Sequence, residues 1–71
     1  MRKEFCLKEN ILITYTGKDV CFEEIKTAES ILLDNNGNIQ HSNFNDDRNN
    51  FFQNYLKQIL PAITAYRNSP R

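Results

Sequence analysis

The stretch LLDNNGNIQ, residues 32–40, decides how the middle of this chain folds. Two leucines precede Asp34, a polar cluster that ends in Gly37 follows it, and the apolar Ile39 comes soon after. Aspartate at the first position and a glycine at the last are typical of a type I turn closed in the left-handed region. The pattern therefore predicts a β-hairpin in which Leu33 lies opposite Ile39.

The same stretch partly resembles a calcium-binding EF-hand loop, which also combines side-chain oxygens with a glycine. With Gly37 at the sixth position of such a loop, Leu32 falls at the first and Asn43 at the twelfth. Those positions need an oxygen ligand and a bidentate glutamate, which this sequence does not supply. With Asp34 at the first position, Ile39 takes the sixth and the glycine is lost. Both alignments fail, so we expect no metal ion here.

The first two thirds of the chain predict β-strands. β-Branched and aromatic residues are frequent there, and short polar connections separate the runs. Alternation within the third run places Val20 and Phe22 on one face of the sheet and Cys21 on the other. The candidate strands are residues 4–7, 11–16, 20–25, 29–33 and 38–44.

Residues 20–33 also fit a helix, which is the alternative for this segment. Asp19 would be its N-cap, and four apolar residues recur there at helical spacing, namely Phe22, Ile25, Ala28 and Leu32. We favour a strand at residues 29–33 because the turn at Asp34 and another β-rich run follow it directly.

The last third of the chain predicts one amphipathic helix over about residues 46–60, with Asn45 or Asp46 as N-cap. Pro61 has no amide hydrogen, so we expect a kink or a break there, with a short turn over residues 62–66. A frayed tail is expected over residues 68–71. The apolar residues of the helical segment are three or four positions apart: Phe51, Phe52, Tyr55, Leu56, Ile59, Leu60, Ile63 and Tyr66.

These elements predict a single small α+β domain over residues 1–71. An antiparallel β-meander of three to five strands, at about residues 4–43, is followed by one C-terminal amphipathic helix packed on the sheet. A chain of 71 residues has a thin core, because it buries only roughly 60% of the surface that its unfolded form exposes.

Charged residues are segregated along a chain whose net charge is zero. A neutral chain has no overall basic field that would recruit nucleic acid. Residues 19–47 contain seven acidic residues and one lysine, and the segments on either side are basic. This acidic excess is either neutralised within the fold or faces a basic partner.

Patterns of catalytic or cofactor-binding residues are weak. His41 is the single histidine, and its neighbours Ser42 and Asn43 form no recognisable catalytic arrangement. Glu23 and Glu24 are adjacent, so in a strand they point to opposite faces. Two isolated glycines cannot form a phosphate-binding loop. We therefore expect a non-enzymatic protein without a cofactor.

The cysteines and the apolar runs predict a compartment. Residues 1–15 lack the apolar run and cleavage site of a secretory leader, so we expect a cytoplasmic protein. Cys6 and Cys21 should then remain reduced, as thiols buried in apolar strands. The sequence also lacks a run of about 18 apolar residues, so no membrane helix is expected.

Size, charge and aromatic content favour a small protein-binding module that occupies the surface of a partner protein. We expect a regulator or inhibitor of phage or mobile-element type, a setting suggested by the ten asparagines, and a homodimer is also possible. The candidate interface combines acidic residues of the middle segment with aromatic residues of the helix: Glu23, Glu24, Glu29, Asp46, Asp47, Phe51, Tyr55 and Tyr66.

The alternative function is a DNA-binding transcriptional regulator. Arginine, asparagine and glutamine make bidentate contacts with guanine and adenine, and the polar face of the helix is rich in them. The candidate residues are Arg48, Asn50, Asn54 and Lys57. Because only two of these are cationic, they would neutralise few phosphates.

Overall fold

The computed structural model describes residues 2–69. Within them, five strands precede one helix: β1 (Lys3–Lys8), β2 (Ile11–Tyr15), β3 (Asp19–Glu24), β4 (Glu29–Asp34), β5 (Ile39–Ser42) and α1 (Asp46–Arg67). Each strand pairs antiparallel with the next one, so the order in the sheet is the order in the chain. The predicted α+β meander with a C-terminal helix on the sheet is confirmed, and the alternative helix over residues 20–33 is wrong.

The β4–β5 hairpin contains the turn that the sequence predicts. The amide of Gly37 donates to the carbonyl of Asp34 at 3.0 Å, and Gly37 has a φ of 86°. Leu33 lies opposite Ile39, as expected. The turn therefore forces the residues before it into a strand.

The side chain of Asp34 stabilises this turn. Its Oδ1 accepts the amides of Asn36 and Asn38, both at 2.9 Å, and its Oδ2 accepts from the side chains of Asn38 and Gln40 at 3.3 Å. Hydrogen bonds, above all from the backbone of Asn38, lower the pKa of Asp34. The oxygens that suggested a calcium loop thus bond within the turn. Among residues 2–69, no three His, Cys, Asp or Glu side chains are placed to hold a metal ion.

A β-bulge changes the pairing of β5. The register shifts between Leu32 and Leu33, so His41 lies opposite Leu32 and Gln40 is the extra residue. An unbroken register would place His41 opposite Ile31, and that prediction is wrong by one position.

The core lies between the sheet and α1. Phe22 and Phe52 stack with ring centroids 5.0 Å apart and join the centre of the sheet to the helix. Val20 and Phe22 are fully buried on this face and Cys21 points to the other, as the alternation predicts. Among the described residues the core consists of Ile13, Tyr15, Val20, Phe22, Ile31, Leu33, Phe44, Phe52, Leu56 and Ile63.

The helix continues through Pro61 to Arg67, so the predicted break and the separate turn over residues 62–66 are wrong. Proline leaves the carbonyl of Lys57 without its helical donor, but Lys57 is exposed and water can supply the bond. Two contacts beyond the proline fix the last turns. Ile63 is fully buried, and Arg67 donates to two carbonyls at the β2–β3 turn, at 2.7 and 3.2 Å.

Both ends of α1 are capped. Asn45 is the N-cap, and its side chain accepts the amide of Arg48 at 2.9 Å. At the other end, the amides of Asn68 and Ser69 donate to carbonyls of the last helical turn. Of the predicted frayed tail, residues 70–71 lie outside the described residues.

Candidate interaction site

One end of the molecule brings together the β1–β2 turn, the β3–β4 turn and the first turns of α1. The β1–β2 turn is tight, with positive φ angles of 53° at Glu9 and 67° at Asn10, as in a type I′ hairpin. The amide of Ile25, just after β3, donates to the carbonyl of Asn10 at 3.0 Å. Antiparallel pairing thus places residues near positions 9, 25 and 47 side by side.

A groove opens at this end between the sheet and the helix. It consists of two adjoining cavities of about 380 and 230 Å³, whose common walls are Glu9, Ile11, Phe51 and Phe52. We call it the Phe51 groove. Glu24, Asp47 and Arg48 close one side, and Lys8, Ile13 and Tyr55 close the other.

Phe51 is the exposed apolar residue of the groove. Its side chain is 59% exposed, whereas the neighbouring Phe52 is buried. The Phe51 ring lies 5.2 Å from that of Phe52 and 6.0 Å from that of Tyr55, between centroids. Ile25 is also exposed at this end of the sheet. Large apolar side chains exposed beside a groove are typical of interaction surfaces.

Carboxylates border the groove. Of the three among the described residues that line it, Glu24 is paired with Arg48, and Glu9 and Asp47 have no ion pair within residues 2–69. This end of the described structure carries five carboxylates (Glu9, Glu24, Glu29, Asp46 and Asp47) and three cations (Lys8, Lys26 and Arg48). Its excess of two negative charges favours a positively charged partner.

Arg48 is held within the fold. Its Nη2 donates to Glu24 Oε2 at 2.7 Å. The guanidinium carbon lies 5.2 Å from the ring centroid of Phe44 and 5.4 Å from that of Phe52, within the range of cation–π attraction. Its Nε is buried and finds no partner among the described residues. Arg48 therefore links the start of α1 to β3, and a contact with DNA would require it to leave Glu24.

The predicted interface residues lie at three separate places. Glu24, Asp47, Phe51 and Tyr55 line the groove, with Glu29 and Asp46 at the same end. Glu23 lies on the face of the sheet that points away from α1. Tyr66 is near the other end of α1, where its ring lies 4.8 Å from that of Phe5. One contact surface cannot contain all eight residues.

The residues of the DNA-binding alternative are divided as well. Asn50, Asn54 and Lys57 line a polar cleft of about 300 Å³ between α1 and the β4–β5 turn. Gln53 closes this cleft by donating to the carbonyl of Gly37 at 2.9 Å. Lys57 is the one cation among the described residues lining it, so phosphate neutralisation there would be weak.

The two cysteines lie on opposite faces of the sheet, and both are free. Cys6 packs against the core, and Cys21 lies on the outer face opposite Thr14 and Leu32. Each thiol is half-buried, less than the buried state we expected. Burial raises the pKa of the Cys21 thiol.

Sequence reasoning missed Glu9, Ile11 and Ile25. They come from two turns and a strand that are far from Phe51 along the chain, and only the register of the sheet brings them near it. Ile25, an isoleucine in a polar connection, was the one signal in the sequence that an apolar residue would remain exposed there.

No protein-family model, curated protein or solved structure matches this chain. Within residues 2–69, no helix combines the length and the apolar character needed to cross a membrane. The groove and its charges are therefore the evidence that bears on function.

Proposed function

We propose that this protein is a non-enzymatic binding module that docks on a partner protein through the Phe51 groove. The observation that carries the proposal is the position of the exposed Phe51 beside the unpaired carboxylates of Glu9 and Asp47. An apolar anchor inside a polar rim is the usual anatomy of a protein interface. The partner would offer a large apolar side chain flanked by lysine or arginine.

The chemistry of the walls supports binding more than catalysis. None of the described residues that line the two cavities is a histidine, cysteine, serine or threonine. The carboxylate of Glu24, which faces the groove, is engaged by Arg48 at 2.7 Å. The remaining carboxylates lie at the rim, where they can attract a basic partner before the aromatic contact forms.

Occupying the basic surface of a partner would block other ligands of that surface. A regulator or inhibitor is therefore the form of function we propose. The phage or mobile-element setting is proposed on the abundance of asparagine alone. A cytoplasmic location is proposed because it is compatible with Cys6 and Cys21 as free thiols.

Affinity capture with matched baits tests the proposal. The full chain and its Phe51→Ser variant are immobilised and exposed to an extract of the native host, and the retained proteins are identified by mass spectrometry. Tyr66→Ser is the control, since Tyr66 is similarly exposed at the other end of α1. Partners should be retained by the wild type and by the control but lost with Phe51→Ser. Equal retention by all three baits would exclude the groove.

Salt dependence tests the charged rim separately. With the purified partner, raising the salt from about 50 to about 500 mM should weaken binding, because exposed charges are screened beyond a few ångströms at high ionic strength. Asp47→Asn should weaken binding at low salt and have less effect at high salt. Affinity that is the same at both salt concentrations would contradict an electrostatic contribution.

DNA binding remains the alternative proposal, supported by the shared cleft of Asn50, Asn54 and Lys57. It predicts a mobility shift of duplex DNA at about 50 mM salt that weakens with Asn54→Ala. The absence of a shift under those conditions would remove this alternative.

A further inference from the structure

The face of the sheet that points away from α1 has an apolar centre. Within the described structure, Leu7, Leu12, Cys21 and Leu32 form one diagonal across four strands, which we call the outer stripe. Leu7 pairs with Leu12, and Cys21 pairs with Leu32. Leu12 and Cys21 are diagonal neighbours, because the partner of Cys21 in β2 is Thr14. Leu7 is 54% exposed, and the other three side chains are half-buried.

Apolar residues at these positions depart from the usual pattern. Antiparallel sheets with one face in water place polar side chains on that face. Here the central outward positions of β2, β3 and β4 hold leucine, cysteine and leucine. A continuous apolar stripe across central strands is typical of a surface that is covered by another protein surface.

The small size of the core favours a second copy as the cover. Ten buried side chains form the core of the described structure. Chains of this size usually gain stability from disulfides, a structural metal or oligomerisation. Both cysteines are free, and residues 2–69 contain no cluster of metal-binding side chains. Association is the route that remains.

Charges around the outer stripe are complementary under a two-fold axis. Arg2 crosses the outer face, donating to Thr14 Oγ1 at 3.1 Å and pairing with Asp19 at 2.7 Å. Three of its five N–H donors are used within the chain. Glu23 lies on the other side of Cys21 along β3. An axis across the strands near Cys21 brings Glu23 of one copy towards the free donors of Arg2 in the other.

The area of the face agrees with a weak dimer. Five strands about 4.8 Å apart, with about five residues each at about 3.4 Å per residue, give a flat footprint of about 400 Å². Two such footprints sum to about 800 Å² before the relief of the side chains is counted, at the low end for specific interfaces. A dissociation constant of about 10–100 μM is therefore expected.

We propose that the outer stripe is a homodimer interface, in which two copies pack sheet against sheet about a two-fold axis near Cys21. The Phe51 groove lies between the sheet and α1, on the other side of the sheet, so dimerisation leaves it accessible. The proposal does not depend on the function assigned to the groove.

Sedimentation velocity of the full chain between about 5 and 500 μM tests the dimer. The wild type should shift from monomer to dimer. Leu7→Lys and Leu32→Lys should each raise the dissociation constant at least about tenfold, since they bury an unpaired ammonium group. Phe51→Lys, at an exposed site off the stripe, should dimerise like the wild type. Circular dichroism verifies that each variant is folded, and Leu7→Lys is safest because that side chain is already largely exposed.

Cysteine cross-linking locates the interface. Mild oxidation with copper–phenanthroline should join two copies through Cys21, because a disulfide forms only where the Cα atoms come within about 7 Å. Cys6→Ser should retain the linked dimer and Cys21→Ser should lose it. A wild type that stays monomeric at about 500 μM overturns the proposal. So does a dimer that Leu32→Lys leaves intact, or one that is linked through Cys6.

Discussion

Arg67 donates from its Nε to the carbonyl of Thr16 at 2.7 Å, across 51 positions of sequence. The bond joins the last turn of α1 to the β2–β3 turn, and a second bond at 3.2 Å from Nη2 reaches the carbonyl of Asp19. The end of the helix is thus held by the sheet, on the far side of Pro61. Tertiary contacts of this kind decide whether a helix continues where its local sequence would end it.

Arg67→Ala should lower the free energy of unfolding by about 1–3 kcal/mol, because two charge-assisted hydrogen bonds are lost and two carbonyls lose a donor. Urea denaturation at neutral pH measures the change. Lys57→Ala, at an exposed position of the same helix, is the control and should stay within about 0.5 kcal/mol of the wild type. Equal effects of both substitutions would show that the Arg67 contacts do not stabilise the fold.

Pro61→Ala should raise the free energy of unfolding by about 1–3 kcal/mol. Proline inside a helix removes one backbone hydrogen bond and is about 3 kcal/mol less favourable than alanine. Pro61 is exposed, so the substitution disturbs no core contact. Thermal and urea denaturation give the change, and a variant that is less stable than the wild type would show that Pro61 fits its position without strain.

The features predicted from sequence are those fixed by neighbouring residues. The turn from Asp34 to Gly37 bonds within itself, so its residues were enough to predict the hairpin and the pairing of Leu33 with Ile39. N-capping by Asn45 is local in the same way.

The features missed depend on contacts distant in sequence. Continuation of α1 past Pro61 depends on the burial of Ile63 and on bonds from Arg67 to the β2–β3 turn. The bulge at Gln40 moves His41 by one position, and no local signal marks it. The Phe51 groove likewise forms from three chain segments that only the sheet register brings together.

Asp34→Asn should reduce the pH dependence of stability. The pKa of Asp34 is lowered in the folded protein, chiefly by the backbone hydrogen bond from Asn38. A group whose folded pKa is below its unfolded value, about 3.9 for aspartate, contributes stability above that value. This contribution is lost as the pH falls through the folded pKa. The variant should therefore be less stable than the wild type at pH 7, and the difference should shrink as the pH approaches 3.

Urea denaturation between about pH 7 and 3 measures this difference. Asp19 leaves a remaining dependence of the same sign in both proteins. Burial raises the pKa of Asp19, but hydrogen bonds from Arg2 and Thr16 and the nearby positive charges outweigh it, so the pKa is lowered. A constant difference between wild type and variant over the whole pH range would mean that Asp34 acts only through uncharged hydrogen bonding.

Phe51 and Phe52 are adjacent and should respond differently to the same substitution. Phe52 is 1% exposed and stacks on Phe22, so Phe52→Ala should cost about 3–5 kcal/mol in the free energy of unfolding. Phe51 is 59% exposed, so Phe51→Ala should cost less than about 1 kcal/mol. Partner binding should nevertheless be lost in Phe51→Ala, because the exposed ring is the proposed anchor. Urea denaturation and calorimetric titration with the captured partner measure the two effects separately. A Phe51→Ala variant destabilised as much as Phe52→Ala would make Phe51 a core residue, and one that is stable and still binds would exclude it as the anchor.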